Sequence, residues 1–355
     1  MTDLKQAFAG RRVLVTGHTG FKGSWLAYWL HRLGAEVTGF ALAPAYERSH
    51  FERLGLDRKF VHMEGDLRDP AAILDTVRSA QPEFVFHLAA QALVRRSYAD
   101  PKETFDTNVG GAVNLLEALR LTGGVETLVF CTSDKCYLNV GRAEGYAETD
   151  TLGGHDPYSG SKAAAEMVFH AYDHSFLAPA GIAAASVRAG NVVGGGDWAE
   201  DRILPDCIRA LEAGRDIVLR NPDATRPWQH VLDPLNGYMN LALALRDNPG
   251  AFRGGWNFGP EAAAPMTVME VAERAIAAWG SGAVRVERPA DAPPEHHLLQ
   301  LDIAKATQAL GWRPRWSMSR AVDESVAWYK AVTEGADAAE MTAEQIAAFM
   351  ENDDD

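Results

Sequence analysis

The chain has 355 residues, of which 47% are hydrophobic and 23% are charged, and its formal net charge is −14. This composition indicates a globular protein with a large core, and the negative charge argues against nucleic acids and anionic membranes as partners. No apolar run reaches membrane-spanning length, and the first residues do not resemble a signal peptide. Because Cys131, Cys136 and Cys207 show no metal-ligand spacing, we expect reduced thiols, no bound metal and a cytoplasmic location.

A glycine-rich turn follows the first predicted strand, at residues 13–15. Gly17, Gly20 and Gly23 recur at every third position, and an apolar helix is predicted from about residue 25. Residues without a Cβ let the backbone approach phosphates, and the helix N-terminus attracts the anion. The pattern predicts a dinucleotide cradle. An ordinary glycine-rich turn between a strand and a helix is the alternative for this motif alone.

Strands and helices alternate through the first half of the chain, and the predicted strands are apolar along almost their whole length. The pattern predicts an α/β fold of the Rossmann type, with a doubly wound parallel sheet and a smaller C-terminal substrate-binding lobe. We assign residues 1–187 and about 232–261 to the Rossmann domain, and about 188–231 and 262–355 to the lobe. The predicted helices include residues 70–80, 105–121 and 233–247, and a capping box at Thr342 predicts the start of the last helix.

Tyr158 and Lys162 are the first candidates for catalysis. Their spacing places both side chains on one face of a predicted helix. A neighbouring ammonium favours the phenolate, so the tyrosine is a candidate base for a hydroxyl proton. Between the glycine turn and this pair, an apolar strand ends in Thr132, Ser133, Asp134 and Lys135. We expect these polar side chains at the carboxyl ends of the strands, where parallel sheets bind ligands.

These motifs, in this order, resemble the extended short-chain dehydrogenase/reductase family over nearly the whole chain. Within it, the chain is most similar to the CDP-glucose 4,6-dehydratases. The resemblance implies that tightly bound NAD is the cofactor and that CDP-glucose is the substrate. It also implies a homodimer or a dimer of dimers. It assigns cofactor binding to Gly17, Thr19, Gly20, Phe21, Lys22, Gly23, Asp66, Leu67, Leu88, Ala89, Ala90, Gln91, Asn108, Tyr158 and Lys162.

The resemblance also implies catalytic roles for Ser133, Asp134, Lys135, Tyr158 and Lys162. Tyr158 takes the C4 hydroxyl proton while hydride leaves C4, and Ser133 binds the C4 oxygen. Asp134 protonates the C6 hydroxyl as water is lost across C5 and C6, and hydride then returns to C6. Related dehydratases have Asp-Glu where this chain has Asp-Lys, so Lys135 is either the C5 base or a charge that stabilises the enolate.

The resemblance assigns Asn191 and Arg226 to substrate binding, and Arg202 is a second candidate for the diphosphate. Trp198 and Trp228 either border the nucleotide or fill the core. Arg95 and Arg96 are weaker candidates for substrate contact.

Two points stay open from the sequence. No carboxylate follows the second strand to bind the adenosine ribose, and Arg48 beyond it is a possible partner for the 2′-phosphate of NADP. We prefer NAD, since a cofactor recycled in place needs no reducing pool. The alternative functions are a sugar-nucleotide 4-epimerase, a 4,6-dehydratase of another nucleotide sugar, and a cofactor-sensing binding protein on the same fold.

Overall fold

A seven-stranded parallel sheet lies at the centre of the protein, whose computed structural model describes residues 3–142, 144–261, 266–287 and 299–351. The strand order is β11-β6-β5-β4-β1-β2-β3, so the chain winds outward from β1 in both directions. This order confirms the predicted doubly wound fold. The strands are β1 (Arg12–Thr16), β2 (Glu36–Ala41), β3 (Val61–Glu64), β4 (Phe84–His87), β5 (Thr127–Cys131), β6 (Ala183–Ala189) and β11 (Gly254–Phe258).

Three short strand pairs lie outside this sheet. They are β7 (Val192–Val193) with β10 (Gln229–His230), β8 (Ile217–Leu219) with β13 (Val284–Val286), and β9 (Thr225–Arg226) with β12 (Met266–Thr267). The helices are α1 (Leu4–Phe8), α2 (Phe21–Arg32), α3 (His50–Leu54), α4 (Pro70–Ala80), α5 (Val94–Ala99), α6 (Pro101–Phe105), α7 (Gly111–Thr122), α8 (Pro157–Tyr172), α9 (Ile203–Glu212), α10 (Leu232–Asp247), α11 (Pro249–Phe252), α12 (Val268–Trp279), α13 (Ala304–Ala309), α14 (Met318–Thr333) and α15 (Ala338–Glu351). None of the helices in the described ranges is long and apolar enough to cross a membrane.

Local sequence explains where the helix that carries the Tyr–Lys pair begins. Asp156 is the N-cap of α8, and its carboxylate accepts the backbone N–H of Ser159 at 2.9 Å. Pro157 occupies the first turn, where its missing N–H costs nothing. An aspartate cap of this kind stabilises a helix by about 1 kcal/mol. The start of α8 therefore places Tyr158 in the first turn and Lys162 one turn later.

The predicted helix over residues 105–121 is wrong at its start. The structure has α6, then a widened π-helical turn at Asp106–Gly110, and then α7. The wider turn brings the buried Asn108 side chain against the backbone of Gln91, whose N–H it accepts at 2.8 Å. A hydrogen bond across the fold therefore overrides the regular helical pattern.

The predicted capping box at Thr342 is also wrong. The last helix, α15, begins at Ala338, and the Asp337 carboxylate accepts the backbone N–H groups of Ala339 and Glu340. Thr342 is buried in the second turn, where its hydroxyl donates to the carbonyl of Ala338 at 2.7 Å. The threonine thus serves packing inside the helix and not its start.

One face of the sheet shares a continuous apolar core with the C-terminal helices. Trp25 and Trp29 of α2 and Trp328 of α14 are almost fully buried in it. The other face packs against α4, α7 and α8. The chain returns to the sheet through α10 and β11, as expected. The division of the chain into a domain and a lobe stays a prediction, and residues 262–265, at one expected boundary, lie outside the described residues.

Candidate functional site

The glycine-rich turn sits against the end of β4. A Cβ on Gly17 would lie 2.6 Å from the backbone nitrogen of Ala89, and Gly17 has a φ of +78°. A Cβ on Gly23 would lie 2.1 Å from the carbonyl oxygen of Gly17. Gly20 is the N-cap of α2 and has no side chain to accept the N–H groups of the first turn. These amides and the helix dipole therefore face the place where a diphosphate binds in such folds.

A pair of histidines lies beside β2, with His18 in the glycine-rich turn and His62 in β3. His18 Nε2 and His62 Nδ1 are 2.7 Å apart. Burial, with the nearby charge of His62 adding to it, lowers the pKa of His18 to about 3, so its ring is neutral. A Cβ on Gly39 would lie 2.3 Å from the His18 ring, which explains the glycine in β2. The histidine ring thus fills space next to the strand end where we had looked for a carboxylate.

Arg48, the candidate for a 2′-phosphate, is engaged elsewhere. Its guanidinium makes two hydrogen bonds to Glu212, at 2.9 and 2.7 Å, and stacks over Trp198 at 4.2 Å. The structure therefore gives no support to NADP.

The other predicted cofactor residues line the carboxyl edge of the sheet in different ways. The Thr19 hydroxyl donates to the carbonyl of Leu42 at 2.9 Å. The Asp66 carboxylate is held by Arg68, whose hydrogen bonds lower the pKa of Asp66. Leu67 is buried, whereas Phe21 and the strand-end residues Leu88, Ala89 and Ala90 are half-buried.

Asn108 and Gln91 form a buried link from the edge of the sheet to α8. The Asn108 amide donates to the carbonyl of Gln91 at 3.1 Å and to the Ser161 hydroxyl at 2.9 Å. The Ser161 hydroxyl in turn donates to the carbonyl of Tyr158 at 2.7 Å. Asn108 therefore holds the first turn of α8, and direct contact with a cofactor stays a prediction for it.

Lys22 points its ammonium across the sheet edge to a tyrosine that the sequence analysis did not single out. Lys22 Nζ donates to the Tyr238 hydroxyl at 3.1 Å, and that hydroxyl lies 3.6 Å from the sulfur of Cys131. Tyr238 belongs to α10, more than 200 residues along the chain from the lysine. No local motif signals such a contact.

Tyr158 and Lys162 meet at the same edge. Lys162 Nζ lies 5.9 Å from the centre of the Tyr158 ring, and the Tyr158 hydroxyl is hydrogen-bonded to Ser133. Burial raises the pKa of Tyr158, and the charge of Asp134 adds to this effect, while the Ser133 hydrogen bond and the charge of Arg202 lower it. Burial also lowers the pKa of Lys162, and the charge of Lys22 adds to that effect. Among the cations of this pocket, Arg202 favours the Tyr158 phenolate.

A 3₁₀ turn at Asp134–Cys136 follows β5, and Ser133 is its N-cap. The Ser133 hydroxyl donates to Asp134 Oδ1 at 2.8 Å, and Lys135 Nζ lies 3.5 Å from the same oxygen. Asp134 is buried, and its Oδ2 faces Gly190, where a Cβ would lie 3.5 Å away. The turn thus places a hydroxyl, a carboxylate and an ammonium beside the Tyr158 phenol.

The three residues predicted to bind the substrate, Asn191, Arg202 and Arg226, lie in different surroundings. Arg202 is half-buried, and its Nη1 donates to Asp197 Oδ2 at 2.8 Å. Its positive charge lowers the pKa of Tyr158, so Arg202 lies close to the Tyr158 phenol. Arg226 lies in β9, where its guanidinium donates to the carbonyl of Thr225 at 2.8 Å. Asn191 lies between β6 and β7, and its carbonyl accepts an N–H from β10.

The remaining candidates for substrate contact have other roles. Trp198 and Trp228 both belong to the apolar core. Arg95 pairs with Asp201 at 2.7 Å, and Arg96 pairs with Glu103 at the same distance. Across the residues that the structure describes, no cluster of three or more His, Cys, Asp or Glu side chains is arranged to hold a metal ion.

A buried ion pair that the sequence did not lead us to expect lies behind the turn at Asp134–Cys136, which we call the catalytic turn. Glu166 and Arg188 are 2.8 Å apart and are both almost completely buried. Glu166 follows Lys162 by four residues and so lies on the same face of α8. The interval of four residues between Lys162 and Glu166 is visible in the sequence and could have indicated that Glu166 lies near the site. Arg188 of β6 makes two hydrogen bonds to Glu166 in this pair.

Comparisons with known proteins show which family the chain belongs to. The family model described as GDP-mannose 4,6 dehydratase matches residues 14–325. The chain is 44% identical to the CDP-glucose 4,6-dehydratase of Salmonella typhimurium over 351 residues, covering 98% of both chains. It is 29% identical to a dTDP-glucose 4,6-dehydratase of Streptomyces antibioticus, covering 90% of this chain and 92% of that protein. The solved UDP-glucose 4-epimerase of Thermus thermophilus, in complex with NAD, has a TM-score of 0.76 and 30% identity, covering 92% of this chain and 99% of that one.

Two substitutions in the glycine-rich turn separate cofactor binding from folding. A Cβ on Gly23 would meet backbone at 2.1 Å, whereas the nearest atom to a Cβ on Gly20 lies at 3.3 Å. We expect Gly23→Ala to lower both the Tm and the affinity for NAD. We expect Gly20→Ala to leave the Tm nearly unchanged and to weaken NAD binding at least about tenfold, because its methyl group faces the phosphates.

Thermal unfolding and calorimetric titration with NAD measure these two effects. Gly110→Ala is the control, since a Cβ there would meet nothing within 4 Å. Equal losses of Tm for Gly20→Ala and Gly23→Ala would contradict the prediction.

Proposed function

The chain belongs to the GDP-mannose 4,6 dehydratase family, and we propose that within this family it acts as a CDP-glucose 4,6-dehydratase. The observation that carries the proposal is the contact between Tyr158, the residue proposed for oxidation, and the turn with the residues proposed for elimination. The turn with Ser133, Asp134 and Lys135 touches the Tyr158 phenol through the Ser133 hydroxyl. Oxidation at C4 needs the tyrosine, and loss of water from C5 and C6 needs an acid beside it. The near-full-length similarity to a CDP-glucose 4,6-dehydratase supports the choice of substrate.

The residues at the sheet edge fit NAD. The glycines leave room for the diphosphate, and the first turn of α2 presents its amides to it. When bound, NAD supplies a hydride acceptor for C4 and a hydride donor for C6 within one turnover. The glycines, Thr19 and the strand-end residues would hold the cofactor, and Lys162, whose Nζ lies 5.9 Å from the centre of the Tyr158 ring, would orient it.

The side chains divide the reaction between them. Tyr158 takes the C4 hydroxyl proton, and Ser133 hydrogen-bonds the C4 oxygen. The C4 ketone acidifies the C5 proton, and Lys135 either removes this proton or stabilises the enolate. Asp134 gives a proton to the departing C6 hydroxyl, which leaves as water. Return of the hydride to C6 and of a proton to C5 then gives CDP-4-keto-6-deoxyglucose.

Cations at the site offset the overall negative charge of −14. Arg202 is fixed by Asp197, and Arg226 is fixed to the backbone of β9. We assign the diphosphate to these arginines and the adjoining ribose to Asn191. The three cysteines are free, which fits a cytoplasmic enzyme.

Incubation with nucleotide sugars tests the proposed function. We expect CDP-glucose to yield a 4-keto-6-deoxy product, which absorbs in strong base, with kcat/KM at least about tenfold above dTDP-glucose, UDP-glucose and GDP-mannose. A 4-epimerase would instead yield CDP-galactose with no such absorbance, and a cofactor sensor would yield neither product. Either of those results would rule out the proposal.

Two conservative substitutions test the division of roles. Tyr158→Phe removes the base, and we expect turnover to fall about 10²- to 10⁴-fold with no build-up of reduced nicotinamide. Asp134→Asn keeps its size and offers no carboxylic proton. We expect this variant to oxidise C4 and to accumulate enzyme-bound reduced nicotinamide, seen by its absorbance, with little product. Normal turnover of Asp134→Asn would show that Asp134 is not the acid.

We further propose a homodimer formed through α7 and α8. Large apolar side chains are exposed on and next to these helices: Leu121 at 51%, Met167 at 66% and Phe176 at 45%. A two-fold interface buries the same patch on both copies. We expect light scattering at micromolar concentration to give a dimer, and Met167→Glu to give a monomer. Val218→Glu, at an exposed apolar residue of β8, is the control and should remain dimeric.

A further inference from the structure

The buried ion pair of Glu166 and Arg188 lies behind the catalytic turn and touches both of its ends. Glu166 belongs to α8, and Arg188 belongs to β6. Arg188 donates from Nε to Glu166 Oε1 at 2.9 Å and from Nη2 to Oε2 at 2.8 Å. Burial alone would raise the pKa of Glu166, but the hydrogen bonds from Arg188, Thr132 and Ser186 lower it. The carboxylate is therefore ionised and held from several sides.

The first end of the turn is bonded to this carboxylate. The Thr132 hydroxyl donates to Glu166 Oε1, and the Thr132 backbone N–H donates to the carbonyl of Val187 at 2.9 Å. Ser133, which caps the turn, is the next residue along the chain.

The second end of the turn is bonded to the arginine. Arg188 Nη1 donates to the Tyr137 hydroxyl at 2.7 Å, and the Tyr137 ring lies 4.9 Å from the guanidinium carbon. The Tyr137 hydroxyl then donates to Asn257 of β11 at 2.8 Å. Tyr137 directly follows the turn, and its backbone N–H donates to the carbonyl of Asp134 at 3.3 Å. One ion pair thus fixes the residues before and after Asp134 and Lys135.

The same helix carries the oxidation pair. Tyr158, Lys162 and Glu166 follow one another at intervals of four residues on α8, so they share one face. The acid of the turn is therefore positioned relative to the tyrosine through a single rigid element and a single ion pair. Catalytic geometry is sensitive at this scale, because a misplacement of about 1 Å costs up to about 10²-fold in rate.

We propose that Glu166 is a positioning residue of the elimination step: with Arg188, it fixes the turn that carries Asp134 and Lys135 against the Tyr158 helix. This inference rests on the proposed function. A buried carboxylate can either position catalytic residues or only stabilise the fold. If Glu166 only stabilised the fold, the loss of any one of its hydrogen bonds should have the same effect on kcat.

Thr132→Val and Ser186→Ala make a matched test. Each substitution removes one hydroxyl that donates to Glu166, and both residues are buried. Thr132 leads into the turn, whereas Ser186 lies in the middle of β6, away from it. We expect both variants to lower the Tm by about 2–4 °C, as the loss of one buried hydrogen bond does.

Their kinetics should differ. For Thr132→Val with CDP-glucose, we expect kcat to fall about 10- to 100-fold with KM within about twofold of wild type. Enzyme-bound reduced nicotinamide should accumulate, because C4 oxidation on α8 is slowed less than elimination. For Ser186→Ala, kcat should stay within about twofold of wild type, with no such accumulation.

Tyr137→Phe gives an independent measurement from the other end of the turn. It removes the hydroxyl that accepts from Arg188, and we expect the same pattern as for Thr132→Val. Wild-type kcat in Thr132→Val and Tyr137→Phe, or equal losses of kcat in Thr132→Val and Ser186→Ala, would overturn the positioning role while leaving the proposed function intact. A wild-type enzyme that forms no product from CDP-glucose would overturn both.

Discussion

The arrangement of the site depends on burying charge at the carboxyl edge of the sheet. Lys162, Glu166 and Arg188 are all almost completely removed from water. A buried ion pair is stable only when its remaining donors and acceptors are satisfied, and leaving one partner alone costs about 3–5 kcal/mol. Glu166 accepts hydrogen bonds from Thr132, after β5, and Ser186 of β6, and Arg188 donates to the Tyr137 hydroxyl after the catalytic turn. The requirement to satisfy this pair therefore dictates where the neighbouring backbone can lie.

Charge also explains the chemistry of the pocket. Burial opposes ionisation of Tyr158, so the pocket must supply positive charge to make the phenol a base. Lys162 lies on the same helix, Lys22 reaches in from the glycine turn, and Arg202 reaches in from the loop after β7. These cations come from three separate parts of a chain that is negative overall. The folded structure concentrates them where a diphosphate and a phenolate both need them.

Much of this architecture was predictable, because it depends on local patterns. The helix predicted at residues 70–80 has the same bounds as α4, whose first turn begins with Pro70. The glycine spacing and the interval between Tyr158 and Lys162 predicted the cofactor edge for the same reason.

The errors occur where contacts between distant residues override local pattern. Asn108 widens a helical turn because it bonds Gln91 and Ser161, and Thr342 lies inside a helix because Asp337 caps it earlier. The contact of Lys22 with Tyr238 joins residues far apart in sequence, so no spacing could signal it. Glu166 is different, since its interval from Lys162 was visible, but its partner on β6 was not.

The lysine at position 135 fits this picture of the site. In the related dehydratases that the motif resembles, a glutamate follows the aspartate, and two carboxylates in one turn repel each other. Here Lys135 Nζ lies 3.5 Å from Asp134 Oδ1, and Ser133 donates to the same oxygen. Both groups hold this oxygen in place, and the ammonium is also placed to stabilise an enolate beside it. In the proposed reaction, a cation at this position lets one short turn serve both the carbon that loses its proton and the oxygen that leaves. Both roles need the turn beside Tyr158, where the residues on either side of it are bonded to the Glu166–Arg188 pair.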